Sequence, residues 1–141
     1  MKYRFLLMLM IGLALLTACG TTTASTSTTS TPANITVARL KRMLDQNETF
    51  FLLDVRTPAE FVQDGRIAQA RIAQATLIPL QELEQRLSEL PTDKPIVCIC
   101  RSGNRSSVAC NLLKERGYQA INVTGGMNEW KAAGYPTVFG Q

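Results

Sequence analysis

From Phe50 to Gly134, short apolar runs alternate with stretches whose apolar residues recur at helical spacing. That alternation leaves few folds open to the chain. Phe50 to Leu53, Leu77-Ile78, Ile96 to Cys100 and Ala120 to Val123 read as buried strands. Between and around them lie helix patterns. Thr36 can cap a helix carrying Val37, Leu40 and Leu44, with Asp45 to Glu48 ending it. Thr57-Pro58-Ala59-Glu60 combines a capping residue, a proline for the first helical position and an acid three residues after the cap. Leu80, Leu83, Leu87 and Leu90 line one face of a further helix. Ser106 to Arg116 carries Val108, Ala109, Leu112 and Leu113 before Gly117, and Met127 to Ala133 ends at Gly134. Strands separated by helices predict a parallel sheet covered on both faces. Ligands of such sheets bind beyond the carboxyl ends of the strands, and Cys100 stands at one of those ends.

The apolar fraction of 45% is unevenly spread over the 141 residues. Lys2 and Arg4 precede an apolar run, Phe5 to Leu16, that is too short to span a bilayer comfortably. Leu16-Thr17-Ala18-Cys19 then closes the segment with small residues and a cysteine. From Thr21 to Asn34, ten of fourteen residues are Ser or Thr and none is a large apolar side chain, so the stretch has nothing to offset its ordering entropy. Residues 1–18 are therefore read as a targeting segment and residues 19–34 as a flexible tether reaching roughly 20–25 Å. One domain is expected over residues 35–139. Without the first eighteen residues the formal charge falls from +4 to +2. Such a mild excess describes a solvated surface with at most a slight preference for small anions. No Lys/Arg stripe with interleaved aromatics points to nucleic acid.

Histidine is absent from the sequence, which excludes a Ser-His-Asp or Cys-His mechanism and a His-ligated metal within these residues. Nucleophilic chemistry must then be activated by backbone dipoles and arginines. The segment Ile96 to Ser107 supplies both. A strand delivers Cys100 to a turn, Arg101-Ser102-Gly103-Asn104-Arg105, and a helix starts at once. Successive amides in such a turn converge into an anion-binding nest, to which the free amides of the helix start add. A thiol held there is favoured as thiolate, the nucleophilic form. Cys98 and Cys110 are read as buried thiols, with a resolving role for either left open; Cys98 and Cys100 can point the same way along one strand. Trp130 is read as core or pocket wall.

The segment from Ile35 to Pro136 resembles a single-domain rhodanese, a sulfurtransferase of the thiosulfate:cyanide type. The likeness rests on Asp54-Val55-Arg56 with Glu60-Phe61, on Cys100 to Arg105, and on Gly125-Gly126-Met127-Asn128-Glu129-Trp130 with Gly134-Tyr135-Pro136. A further stretch, Arg66-Ile67-Ala68-Gln69-Ala70, is repeated at once as Arg71-Ile72-Ala73-Gln74-Ala75. Removing one copy brings Gly65 to Leu80 into register with the family's second motif, although Arg66 stands where histidine is common. The second copy is expected to form a bulged loop or short helical extension without breaking the strand at Leu77. The front end resembles a bacterial lipoprotein signal, with Cys19 as the lipidated residue.

The rhodanese resemblance implies an α/β fold with a central, mostly parallel five-stranded sheet and helices on both faces. It also implies that Cys100 attacks a sulfane sulfur and carries it as a persulfide to a thiophilic acceptor. Arg101, Ser102, Gly103, Asn104 and Arg105 would cradle the sulfur or its anionic donor. Arg105 has an alternative as a structural partner of Glu60 or Asp54, and Arg56 is read as structural. No metal and no cofactor is called for. The partners implied are a small sulfur donor and acceptor and, through the anchor, the outer face of a bacterial membrane; a monomer suffices. Two rival functions remain: a persulfide carrier or partner-binding module without turnover, and a cysteine phosphatase or arsenate reductase. The last two families resemble this loop but use a seven-residue one, whereas Cys100 to Arg105 counts six residues.

Overall fold

The computed structural model describes residues 33–67 and 75–140. Its centre is a five-stranded sheet in the order β1-β5-β4-β2-β3. The strands are β1 (Asn34–Thr36), β2 (Phe51–Asp54), β3 (Thr76–Leu77), β4 (Ile96–Ile99) and β5 (Ala120–Thr124). Every pairing is parallel. The sheet is thus wholly parallel, and its carboxyl ends gather on one rim, where the chain leaves β4 for Cys100.

Among the described residues four α-helices flank the sheet: α1 (Val37–Asp45), α2 (Pro58–Gln63), α3 (Asn104–Glu115) and α4 (Gly126–Ala132). Alternation along the strands divides the core in two. Leu52, Val97, Ile99, Ile121 and Val123 pack with Leu40, Met43 and Leu44 of α1 and with Met127 and Trp130 of α4. Leu53, Ile96, Cys98 and Ala120 pack on the other face with Ala109, Cys110 and Leu113 of α3. The expected α/β architecture with helices on both faces is therefore present, and Trp130 is a core residue, 1% exposed.

Several boundaries differ from the reading of the sequence. Asn34, assigned to the tether, opens β1, because pairing with β5 satisfies its backbone where its side chain gives no apolar signal. The leucine-striped segment is a 3-10 helix, Leu83–Glu89, broken at Arg86 (φ −113°, ψ 18°), and not a regular α-helix. Only Leu83 of this helix is buried, and Leu90 just beyond it caps the same cluster, so the four-leucine stripe seats a short, tight turn. Helix α3 begins two residues early, at Asn104.

The tandem repeat falls mostly at residues 68–74, outside the described residues, as do residues 1–32 with Cys19. Both margins of the repeat are placed. The Ala75 amide donates to the Ile67 carbonyl at 3.1 Å, and Thr76 and Leu77 pair with Leu53 and Asp54. The strand at Leu77 is unbroken. Among the described residues no helix is long and apolar enough to cross a membrane.

Candidate active site

The loop after β4 is built so that its amides turn inward. The Cys100 carbonyl accepts from the Met127 amide and the Arg101 carbonyl from the Asn128 amide, each at 2.9 Å. With those carbonyls tied to the start of α4, the next peptide units face the sulfur. The Gly103 amide donates to Cys100 Sγ at 3.1 Å. Gly103 itself sits at φ 98°, a left-handed conformation that a side chain would strain. Gly126, at φ 55°, lies so close beneath that a Cβ there would approach the Cys100 carbonyl to 2.3 Å. The two glycines let α4 and the loop meet backbone to backbone.

Ser106, in the first turn of α3 and fully buried, completes the cradle. Its hydroxyl lies 3.3 Å from Cys100 Sγ. Burial works against ionisation of Cys100, but the Ser106 hydroxyl and the amides of Ser106, Ser102 and Gly103 outweigh it. The thiol is therefore held below its ordinary value of 9.0. A cysteine stabilised by an inward-facing set of donors is a nucleophile that needs no histidine.

The arginines divide in function. Arg105 grips Glu60 with both guanidinium arms, at 2.8 and 2.6 Å, and this pair draws Glu60 down to about 2. Of the two acids considered for Arg105, Glu60 is its partner. Glu60 in turn closes a capping box with Thr57 at the start of α2. Arg101, by contrast, is exposed and its side chain makes no hydrogen bond or ion pair within the described residues. Ser102 and Asn104 are exposed on the same rim. Arg56 is structural, being fully buried in a salt bridge to Asp54 at 2.7 Å, and it also donates to the Gly65 carbonyl at 2.7 Å. Arg66 lies over the Phe61 ring, 5.2 Å from its centroid, and exchanges backbone hydrogen bonds with Val138.

Cys98, Cys100 and Cys110 are all buried and free. Cys98 and Cys110 lie in the same core cluster where β4 meets α3, and the neighbouring thiol together with burial pushes the Cys98 thiol well up. Cys98 and Cys100 fall in one core cluster, as their spacing on one strand requires. Among the described residues no group of three or more His, Cys, Asp or Glu could hold a metal ion.

Residues the sequence reading leaves out of the site are Ser106 and Gly126, together with Asn122, whose Oδ1 accepts from the Ser106 hydroxyl at 2.7 Å. The sequence marks Ser106 as the start of a helix; that its hydroxyl turns back onto Cys100, six residues earlier, is a contact that spacing alone does not give. Asn122 is a buried polar residue, 5% exposed, in an apolar strand. That kind of exception does mark a site.

A parallel sheet whose central strand ends in a six-residue cysteine loop backed by a glycine pair defines the rhodanese-like class. The chain belongs to that family: the model of the rhodanese-like domain matches residues 36–133. A protein named Sulfurtransferase from Allochromatium vinosum is 40% identical over 100 residues, 70% of this chain and 88% of that protein. Among solved structures, a rhodanese-related protein from Thermoplasma volcanium superposes with a TM-score of 0.66 at 34% identity, covering 76% of this chain and 98% of that one. A rhodanese-like domain protein from Staphylococcus aureus gives the same TM-score at 28% identity, covering 78% and 100%. Sulfur transfer of the rhodanese type is the chemistry of this family.

Proposed function

We propose that the chain is a sulfurtransferase in which the Cys100 thiolate takes a sulfane sulfur from thiosulfate or a persulfide and passes it to a thiophilic acceptor. The observation that carries this reading is the cradle itself, with Gly103 N–H at 3.1 Å and Ser106 O–H at 3.3 Å from Cys100 Sγ. With thiosulfate, the thiolate attacks the outer sulfur. A new S–S bond forms on Cys100, the old S–S bond breaks, and sulfite leaves with its electron pair. The resulting anionic Cys100 persulfide is held by donors of the kind that hold the thiolate. Attack by an acceptor nucleophile on its outer sulfur returns Cys100 as thiolate. Exposed Arg101 attracts the anionic donor, and Ser102 and Asn104 line the way in. Arg105, committed to Glu60, braces the loop and adds its positive field.

Cyanolysis after incubation with thiosulfate tests this, with Cys100→Ser as control. Thiocyanate release by wild type and not by the variant is expected; equal rates end the proposal. Mass spectrometry should find one added sulfur on Cys100. Uptake of sulfur without turnover would instead mark a persulfide carrier.

The domain is further proposed to work outside the cytoplasm, tethered through a lipid on Cys19. The lipobox-like Leu16-Thr17-Ala18-Cys19 and the Ser/Thr-rich stretch after it support this. Cys19→Ser should release the protein from the membrane fraction, and a variant that stays there refutes the anchor.

A further inference from the structure

Ser106 has one hydroxyl proton and three acceptors around it. Cys100 Sγ is at 3.3 Å, the Gly103 carbonyl at 3.2 Å and Asn122 Oδ1 at 2.7 Å. The nearest acceptor is the amide. Asn122, on β5, then donates through Nδ2 to Asn34 Oδ1 on β1 at 3.0 Å. A hydrogen-bonded chain thus runs from the active-site sulfur to the edge strand of the sheet. Ser106 and Asn122 are buried, whereas Asn34 is exposed.

The chain can run in two senses. In the one described, Ser106 donates to Asn122 and Asn122 donates to Asn34, and Ser106 has no proton left for the sulfur. In the reverse sense Asn34 donates to Asn122 Oδ1, Asn122 Nδ2 donates to Ser106 Oγ, and the Ser106 proton points to Cys100. Primary amides offer a donor and an acceptor on the same carbon, so turning both over keeps every link. The reverse sense adds a third bond, to sulfur. That bond is of the strong charge-assisted kind only when the sulfur is an anion.

We propose that Asn122 is a positioning residue for Cys100, and that the Asn34–Asn122–Ser106 chain reverses its hydrogen-bond sense when the sulfur becomes an anion. This deepens the sulfurtransferase reading, since thiolate and persulfide are the anions in question. Asn34 touches no reacting atom, and its exposure makes the reversal inexpensive at the far end. Other charged and titratable groups stand around the sulfur outside this chain of hydrogen bonds. Arg105 on α3 is paired with Glu60, exposed Arg101 follows Cys100 in the loop, Cys98 on β4 lies in one core cluster with Cys110, and α4 carries Glu129 and the Asp64-paired Lys131. Strands β1 and β5 carry no titratable side chain.

The test acts at Asn34 in the full chain and reads the pH profile of iodoacetamide alkylation at Cys100, assigned by peptide fragmentation. Asn34→Asp offers acceptors only, so it locks Asn122 with Nδ2 toward strand β1 and holds the Ser106 proton away from sulfur. Alkylation at neutral pH should slow by about tenfold, with the midpoint moving up by about one unit. Asn34→Ala leaves Asn122 free to turn and should stay within about twofold of wild type. In a Ser106→Ala background, Asn34→Asp should have no further effect. The proposal falls if Asn34→Asp alkylates like wild type, if it acts equally without the Ser106 hydroxyl, or if Asn34→Ala slows as much. Alkylation needs no sulfur donor, so failure of cyanolysis and failure of this relay are separately visible.

Discussion

Arg105 and Glu60 stand 45 residues apart in sequence and close on each other as a two-armed ion pair, Nη1 to Oε2 at 2.8 Å and Nη2 to Oε1 at 2.6 Å. The pair joins the last residue of the cysteine loop to the first turn of α2, where Glu60 also receives the Thr57 amide at 3.0 Å. One carboxylate therefore holds a helix start and the active loop together.

Acid should loosen this brace in a defined window. The Glu60 carboxyl is lowered from 4.5 to about 2, chiefly by its hydrogen bonds from Arg105. A depressed folded-state value means the pair contributes stability above about 4.5 and loses it as pH falls toward 2. Because the pair is partly solvated, the expected contribution is about 1 kcal/mol. Glu60→Gln should lower the melting temperature at neutral pH and flatten the acid limb between those two values. An unchanged acid limb in the variant would show that other groups govern it.

Cys100 should react as thiolate below the range of an ordinary cysteine, since the Ser106 hydroxyl and loop amides outweigh its burial. Ser106→Ala removes one donor and should move the alkylation midpoint upward, with thiosulfate turnover at neutral pH falling by about tenfold. Stopped-flow alkylation across pH measures the first and cyanolysis the second. A midpoint that does not rise would mean the amides alone stabilise the anion.

Much of this site was legible in advance because its chemistry is local in sequence. Cys100 to Arg105 are contiguous, and the strand before them and helix after them have clear periodicity. Thr57, Pro58 and Glu60 announce a helix start for the same reason, and the capping box is formed. What the sequence could not reveal lies across the sheet. The partner of Arg105 was ambiguous between two acids, and Asn122 reaches Ser106 only because β5 lies beside β4. Asn34 reads as tether in the sequence because a three-residue edge strand has almost no pattern of its own, and pairing alone defines it. The leucine stripe at 80–90 misleads because the break at Arg86 lets Leu87 and Leu90 reach the same cluster as Leu83, so the spacing imitates an α-helix that the backbone does not form.

Arg56→Met should destabilise the domain severely. Asp54 and Arg56 are both fully buried, with Asp54 accepting from Arg56 Nε and Nη2 at 2.7–3.0 Å. Removing the guanidinium leaves a carboxylate without its counter-charge and the Gly65 carbonyl without its donor, costing about 3–5 kcal/mol. Denaturant unfolding would register this as a lower midpoint. A variant within about 1 kcal/mol of wild type would contradict the buried-pair account.

Gly126→Ala probes the seam between loop and α4. A Cβ at this position would stand 2.3 Å from the Cys100 carbonyl and 2.8 Å from the Arg101 carbonyl, and φ 55° disfavours any side chain. Backbone cannot swing aside as a side-chain tip can, so the loop must shift and turn its amides off the sulfur. Sulfur transfer should fall by about a hundredfold or more, since displacement by about 1 Å can cost that much. Loss of stability alone, with full activity in the folded fraction, would argue that the loop tolerates the displacement.

Deleting Arg71–Ala75, the second copy of the tandem repeat, should leave the fold intact. The Ala75 amide donates to the Ile67 carbonyl at 3.1 Å, closing a seven-residue excursion. After the deletion Ala70 occupies the place of Ala75, and the same hydrogen bond closes the four residues Ile67-Ala68-Gln69-Ala70 as a β-turn. Thr76 then enters β3 with its register against Leu53 unchanged. Shortening the excursion from seven residues to two reduces loop-closure entropy by about 1 kcal/mol, so the melting temperature should rise by a few degrees. Thermal denaturation followed by circular dichroism measures this. A deletion variant that unfolds early would mean that the extra copy makes contacts the domain depends on.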